Sequence, residues 1–371
     1  MNTHDAGDRR WQGHLGGGPL EGLIDEVPRY RLRPSVELFP AAAGDVYLLR
    51  PGEPTAVVRD PEPADRALLE RLAFEAVPVP PGSAPAQRLA PLEAAGLLLR
   101  ESGGPPLEPE EAERFARQLP YFSETGDPVA TQRRLRGAHV AVIGCGGLGT
   151  WALGALASLG VGRFTLVDHD TVELANLNRQ ILYGAADVGS SKVACSARWV
   201  RALDPRIEVR EVPRQVEGEA DAAAAIEGAD AVVLAADWPP YEVGRWVNRA
   251  CVAAGVPFIL GGQVPPVLKV GPTYAPGRGP CFACHERALA AEFPLYPELA
   301  EYRRRHPTTA MTLGPASGVV GALMALETMH LLTGDAPVAT HGRALLIDMR
   351  TLEQRWEAVE RDPDCPVCAI R

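Results

Sequence analysis

The sequence predicts an α/β protein whose larger part is a doubly wound, mostly parallel sheet, preceded by a small α+β module. Two observations carry this. Apolar, strand-like runs beginning near residues 140, 164, 207, 231 and 257 alternate with helical stretches, the pattern of a parallel sheet covered on both faces. A glycine-rich turn, Gly144-Cys-Gly-Gly-Leu-Gly149, joins the first of those runs to a helix of small residues, as in a Rossmann-like nucleotide fold.

Taken in order, residues 1–27 read as a flexible tail that includes His14-Leu-Gly-Gly-Gly-Pro19. Residues 28–102 form a compact module, with strand-like runs at 30–39, 46–49 and 55–58 separated by Ala-Gly-Asp and Pro-Gly turns. Two helical patterns follow at 64–73 and 86–99, with leucines three or four apart. Residues 103–108, containing Gly103-Gly-Pro-Pro106, are a linker. The domain 109–371 opens with Pro109 at a position where proline starts helices, and that helix carries Arg114-Phe-Ala-Arg117-Gln118. Beyond the parallel strands, residues 264–274 and 343–355 suggest antiparallel strands that extend the sheet. The most apolar stretch, 313–332, is about long enough to span a bilayer, but Glu327 and His330 interrupt it, so it reads as a buried helix packed by its glycines and alanines.

The glycines of the turn have a physical task. Gly144 allows a tight exit from the strand, Gly146 and Gly147 let backbone amides approach phosphate oxygens, and Gly149 lets the helix pack close to the sheet. Asp168, at the end of the second strand, is placed to bind ribose hydroxyls. The competing reading is a glycine-rich packing turn. Dehydrogenases share the fingerprint, so the following residues decide the chemistry. Asn176-Leu-Asn-Arg179-Gln180 comes next, and Lys192 opens a helix within Gly189-Ser-Ser-Lys192. A triphosphate that loses pyrophosphate develops charge on the leaving group, which arginine, lysine and magnesium stabilise. Taken singly, Arg179 or Lys192 reads as a solvated surface charge; together, on loops converging on one sheet edge, they favour triphosphate chemistry. Asp237 ends the run 231–236 at the carboxyl edge of the sheet and could hold magnesium.

There are seven cysteines, and four form two pairs, Cys281-Phe-Ala-Cys284 and Cys365-Pro-Val-Cys368. Two-residue spacing lets two thiolates grip one tetrahedral ion, and two such knuckles complete a closed structural zinc site. Redox pairs and disulfides are the alternatives; no signal peptide opens the chain to favour the latter. His285 reads as ordinary, because four thiolates already fill the site. Cys145, Cys195 and Cys251 read as small buried hydrophobes.

These motifs resemble the ThiF/MoeB/HesA family, adenylating enzymes related to ubiquitin-activating enzyme. The resemblance runs from about residue 110 to 368 and rests on the glycine turn, Val167-Asp168-His-Asp170-Thr-Val172, Asn176-Leu-Asn-Arg179-Gln180, Val188-Gly-Ser-Ser-Lys192, Ala235-Ala-Asp237 and the paired knuckles. It implies ATP with magnesium, and attack of a carboxylate on the α-phosphorus to give an acyl-adenylate and pyrophosphate. Carried over by matching motif, Asp168 would bind ribose, with Asp170 in the same nucleotide motif, Asn176, Arg179 and Lys192 the phosphates, and Asp237 magnesium. Arg117 would reach the ATP of a partner subunit, which implies a homodimer. Family members that form a thioester carry a cysteine in the loop after the first knuckle; residues 286–312 contain none, which points to adenylation without a thioester.

The module 28–102 resembles the PqqD-like, winged-helix-type leader-recognition element of peptide-modifying enzymes, as in maturation enzymes of the microcin C type. That resemblance implies a precursor peptide as substrate, its leader added as a strand to a sheet edge. An unrelated packing or dimerisation domain is the competing reading. Two other functions stay open: adenylation of a ubiquitin-like sulfur carrier ending in Gly-Gly, and a non-catalytic leader-binding partner of a cyclodehydratase. The 371 residues suffice for two or three domains, and the net charge of −10 argues against nucleic acid as the main partner. With no membrane anchor evident, the expectation is a soluble cytoplasmic enzyme.

Overall fold

The computed structural model describes residues 27–101, 105–306 and 311–369. The tail expected over 1–27 therefore lies outside the described residues except for Val27, as do residues 103 and 104 of the linker. The chain divides into two compact units, one ending at Gly103 and one beginning at Gly104.

In the first unit the strands are β1 (Arg29–Leu32), β2 (Glu37–Pro40), β3 (Val46–Leu49) and β4 (Ala56–Val58), followed by α1 (Pro63–Phe74), β5 (Val77–Pro78), α2 (Ala84–Ala94) and β6 (Leu98–Glu101). They form two three-stranded antiparallel sheets, β5-β1-β6 and β2-β3-β4. The run expected as one strand over 30–39 is two strands in different sheets. Pro34 lacks a donor, and the N–H of Val36 bonds the carbonyl of Arg33 at 2.9 Å, closing a turn between them. The second helix is likewise shorter than its leucine pattern. Gly96 takes the left-handed conformation at φ +68°, the N–H of Leu97 bonds Leu92, and Leu98–Glu101 leaves to pair with β1. Leu32, Leu48, Leu72, Leu89 and Leu98 make the core.

The second unit opens with α3 (Pro109–Arg114), α4 (Leu119–Phe122) and α5 (Pro128–Gly137). There follow β7 (His139–Ile143), α6 (Gly147–Ser158), β8 (Arg163–Val167), α7 (Lys192–Leu203), β9 (Glu208–Val212), α8 (Glu219–Ala225), β10 (Ala231–Leu234), α9 (Glu242–Ala254), β11 (Phe258–Val264) and β12 (Val267–Tyr274). The chain ends with α10 (Phe282–Glu292), α11 (Tyr296–Arg305), α12 (Gly314–Thr333), β13 (Arg343–Asp348) and β14 (Gln354–Ala358). One eight-stranded sheet has the order β14-β13-β12-β11-β10-β7-β8-β9. The five strands β11-β10-β7-β8-β9 are parallel, and β12, β13 and β14 add antiparallel. The stretch expected as a strand over 343–355 is a hairpin whose second arm is β14. The stretch after the first cysteine pair is largely helical, through α10 and α11.

Strand alternation distributes the core. Val140 and Val142 of β7 face the cluster with α6, α7 and α12, whereas Ala141 and Ile143 face α8 and α9. The helix α12 is long and apolar enough to cross a membrane by length and composition, and 61% of its most apolar window is buried within the fold. Its glycines explain the packing. A Cβ on Gly321 would lie 2.6 Å from Trp151 Cβ and 2.8 Å from the carbonyl of Leu148, so only glycine lets α12 lie this close to α6.

Candidate active site

The parallel strands run 3-2-1-4-5 in chain order, which puts the reversal of winding between β7 and β10. Ligands of open α/β sheets bind beyond the carboxyl ends of the strands at that point. There the glycine turn sits, its Gly144 N–H bonded to Val167 O at 2.8 Å and Ile143 O accepting from Ala235 N–H at 2.8 Å.

Each glycine meets a different constraint. Gly144 has φ +98°, and a Cβ there would stand 2.6 Å from the backbone nitrogen of Ala236. A Cβ on Gly149 would fall 1.9 Å from the carbonyl oxygen of Gly144, and one on Gly147 2.9 Å from Ser317 Oγ on α12. Gly146 is the open one: its nearest neighbour is Gln180 Nε2 at 4.0 Å. It is the N-cap of α6, and no side chain caps that helix, so the first-turn N–H groups and the positive end of the dipole face the cleft.

Asp168 lies one residue past β8 and ties the loops together. One carboxylate oxygen accepts from Cys145 N–H at 2.7 Å, the other from Asp170 N–H at 2.8 Å. Lys192 is buried at the start of α7, where Ser191 caps the helix. Its Nζ donates to Asp170 Oδ2 at 2.7 Å and its backbone N–H to the carbonyl of Asp170 at 3.0 Å. The ammonium is thus a buried charge held by a half-exposed carboxylate, not a solvated surface lysine. Asp168, His169 and Asp170 bring ligand atoms within 4.8 Å of one another. The Lys192 ammonium bound to Asp170 makes that cluster a poor cation seat.

Asn176 is buried in a short 3-10 turn, its Oδ1 accepting from Glu173 N–H at 3.0 Å, which leaves the amide NH2 as its donor. Arg179 lays its stem 3.6 Å from the position of a Gly147 Cβ and donates from Nη1 to Ala175 O at 2.8 Å. The same loop meets α12, where a Cβ on Gly314 would be 2.6 Å from Asn178 O. Asp237 is exposed past the end of β10, one residue beyond the backbone that closes over Gly144. The structure therefore brings Gly144, Gly146, Gly147, Gly149, Asp168, Asp170, Asn176, Arg179, Lys192 and Asp237 to one edge of the sheet.

Arg117 does not join them within its own chain. It is exposed in the turn between α3 and α4, not on the helix expected there. Its neighbour Gln118 donates to Leu159 O at 3.0 Å, at the far end of α6. Twelve helical residues put that end about 18 Å from the glycine turn.

Two residues that the motifs did not reveal support the site. Tyr183 is buried under the turn, donating to Cys145 O at 2.7 Å and meeting Ser196 Oγ at 3.0 Å. Burial pushes its phenol well up, so it stays a donor. Cys145 is fully buried and its thiol is also pushed far up by burial, with Asp168 adding to the effect, as suits a packing residue.

The four paired cysteines converge. Cys281 and Cys284 sulfurs are 3.9 Å apart, Cys281 and Cys365 3.7 Å, and Cys284 and Cys368 3.5 Å, all buried and all within 4.8 Å. Zinc–thiolate bonds of about 2.3 Å in a tetrahedron require sulfur separations of about 3.8 Å, so the cluster fits zinc and leaves no position for substrate. Asn248 is the other residue outside the motifs: Nδ2 donates to Cys281 Sγ at 3.7 Å while Oδ1 accepts from Phe282 N–H at 2.9 Å. His285 turns away to Tyr274 OH at 2.9 Å.

A glycine turn with cations gathered at one edge of a doubly wound sheet, together with a closed four-cysteine cluster in the same unit, is the arrangement of a nucleotide-dependent enzyme of the adenylating class. The chain belongs to the ThiF family, whose model matches residues 115–367, and it is an ATP-dependent adenylyltransferase. It is 36% identical over 271 residues to the sulfur carrier protein adenylyltransferase of Thermus thermophilus, covering 70% of this chain and 91% of that one. In fold it is similar to Escherichia coli MccB solved with AMPCPP and selenomethionine MccA, at a TM-score of 0.70 and 23% identity over 92% of this chain and 99% of that one. The microcin C7 biosynthetic enzyme MccB in complex with N-formylated MccA gives a TM-score of 0.70 at 24% identity, with the same coverage.

Proposed function

We propose that this enzyme adenylates a carboxylate of a ribosomally made peptide, the first unit serving as a PqqD-like, winged-helix-type peptide-recognition module. One observation carries the reading. The sulfur-carrier relative matches only 70% of the chain, whereas the likeness to MccB extends over 92%, which includes much of the unit before Gly103. A ThiF domain alone accounts for the chemistry; the added unit accounts for a peptide. A leader held there raises the effective concentration of the reacting end at the ATP site.

In this reading Asp168 orients the ribose, the first turn of α6 receives phosphate, and Asn176, Arg179 and Lys192 bind the phosphates. The substrate carboxylate is ionised at neutral pH and needs no general base. Its oxygen forms a bond to the α-phosphorus as the bond to the bridging oxygen breaks, and the charge departs on pyrophosphate. Arg179, Lys192 and Arg117 of a second copy neutralise that charge, so catalysis is positioning and electrostatics. Asp237, exposed at the strand edge with carboxylate oxygens available, would hold magnesium, which supplies further charge neutralisation on the leaving group when bound.

A sulfur carrier ending in Gly-Gly is the second reading, favoured by the Thermus thermophilus relative. Pyrophosphate exchange into ATP separates the two. Exchange is expected on addition of a precursor peptide and not of a Gly-Gly carrier; exchange driven by the carrier alone would overturn the peptide reading. An ATP-dependent enzyme also sets aside a purely non-catalytic leader-binding role.

A further inference from the structure

The eight-stranded sheet ends on two strands, β9 and β14, and only one of those edges is closed. In β9 the carbonyl of Val209 accepts from Arg201 Nη2 at 2.9 Å, so a side chain already occupies that edge. In β14 every residue of Gln354-Arg-Trp-Glu-Ala358 is exposed, and Trp356 keeps 45% of its surface in solvent even with the Arg343 guanidinium 4.1 Å over its ring. The N–H of Asp348 bonds the carbonyl of Glu353, and the N–H of Val359 that of Gly342. Bonded pairs alternate along an antiparallel ladder, so Arg355 and Glu357 also turn their main-chain groups to β13. Gln354, Trp356 and Ala358 turn theirs outward, and among the described residues nothing bonds them.

An open edge accepts another strand, and the side chains of β14 select which one. Laid antiparallel on a second copy about a two-fold axis through Trp356, the strand is complementary to itself. Trp356 faces Trp356 of the second copy and Gln354 faces Ala358, and each such pair exchanges two main-chain bonds through groups that already point outward. Arg355 faces Glu357 on both sides of the axis, in the non-bonded pairs where side chains come closest. Sliding to the next register in either direction sets Arg355 against Arg355 or Glu357 against Glu357, which is destabilising. The strand β9 read the same way about Arg210 sets arginine on arginine. We infer that β14 is an interface for a second copy of this chain, joining two sheets into one, with the Trp356 rings at the axis and Arg355–Glu357 pairs on either side. Strands β11, β12 and β13 separate this edge from the seat at β7 and β10, so the contact leaves the nucleotide site open. Arg117 lies on a turn held to Leu159, just before β8, and any surface it shares is a different one. The inference is independent of which carboxylate the enzyme activates.

Sedimentation of the full-length enzyme tests the contact. Arg355→Glu sets carboxylate against carboxylate on both sides of the axis, and Glu357→Arg sets guanidinium against guanidinium. Each is expected to halve the mass of the wild-type assembly at the same protein concentration. Both changes in one chain make every pair opposite again and should restore the mass, which damage to the fold or loss of the Glu357 contact with Lys269 at 4.0 Å would not. Ala358→Pro removes an outward N–H and leaves the bonds to β13, so it too should halve the mass, with a melting temperature near that of wild type. If the double variant does not fold, Ala358→Pro decides. Wild-type enzyme that sediments as a monomer, single variants that keep the wild-type mass, or a folded double variant without recovery would overturn the inference. So would an Arg355→Glu variant that keeps its mass and loses only a precursor peptide, since the edge would then receive substrate.

Discussion

Lys192 reaches back across its loop to Asp170 twice, Nζ to Oδ2 at 2.7 Å and backbone N–H to carbonyl oxygen at 3.0 Å. The contact stores the ammonium beside the turn, and because Asp170 is half-exposed the pair itself adds little stability, about 0–1 kcal/mol. Replacing the lysine should therefore separate chemistry from folding. Lys192→Ala is expected to lower pyrophosphate exchange by about 10²–10³-fold, as for loss of one transition-state donor, with a small change in melting temperature. Asp170→Asn should cost far less activity, since the lysine remains. Equal losses in the two variants would show that the pair acts as a structural unit.

The four glycines of the turn should not respond alike. Alanine at Gly149 or Gly144 drives a methyl into backbone at 1.9 and 2.6 Å, and at Gly144 also imposes a left-handed residue. Each is expected to destabilise the protein by about 1–3 kcal/mol or more in denaturant unfolding. Gly146→Ala meets nothing closer than 4.0 Å and should fold normally while weakening ATP, because its methyl stands where phosphate approaches. A stable Gly149→Ala variant would contradict the geometry.

The cysteine cluster predicts one zinc per chain by elemental analysis. Cys365→Ser should release it and lower the melting temperature sharply, since metal binding is folding free energy in such sites. Asn248→Ala removes a bond to the Cys281 sulfur, and zinc retention against a chelator should weaken about 10–100-fold. Retention of full zinc occupancy by Cys365→Ser would exclude the four-thiolate assignment.

Much of this architecture was legible in the residues, and what was not has physical causes. Continuous apolar runs such as 231–234 and the spacing of Cys281, Cys284, Cys365 and Cys368 are local signals that tertiary context merely assembles. The break at Pro34 and the exit at Gly96 were hidden because each interrupts a hydrophobic pattern that continues across it. Tyr183 and Asn248 carry no motif. Their roles come from what lies above them, the carbonyl of Cys145 and the sulfur of Cys281, which sequence does not place. Lys192 read singly as a surface charge, because burial at a helix start depends on the return of the 189–191 segment to pair with residues 170–172.

Acid stability should be sensitive to Asp204, the cap at the end of α7. Burial pushes its carboxyl up, but bonds from Arg206 at 2.9 Å and Arg136 at 2.9 Å more than offset this and hold it below the ordinary range. A depressed folded pKa gives stability that is present above the unfolded value of about 3.9 and is lost as pH falls through the folded one. The stability gap between wild type and Asp204→Asn should thus be constant near neutrality and shrink below about pH 4 in thermal melts. A gap that widened on acidification would reverse the sign assigned to the pair.

Arg117 gives the sharpest test of assembly, because it is exposed on a turn anchored away from the glycine turn of its own chain. Gln118 anchors that turn to Leu159 at the far end of α6, about 18 Å of helix from the glycine turn. If Arg117 completes the site of a second copy, Arg117→Ala and Asp237→Ala should each abolish pyrophosphate exchange when pure, for different reasons. Mixed in equal amounts and allowed to re-equilibrate, half of the dimers carry one chain of each kind. In such a dimer one site lacks both residues and the other is intact, so exchange should return to about a quarter of the wild-type rate. Arg117 acting within its own chain predicts no recovery at any mixing ratio. A wild-type rate in pure Arg117→Ala would remove the residue from the chemistry altogether, while leaving Asp237 and the rest of the sheet-edge site as they stand.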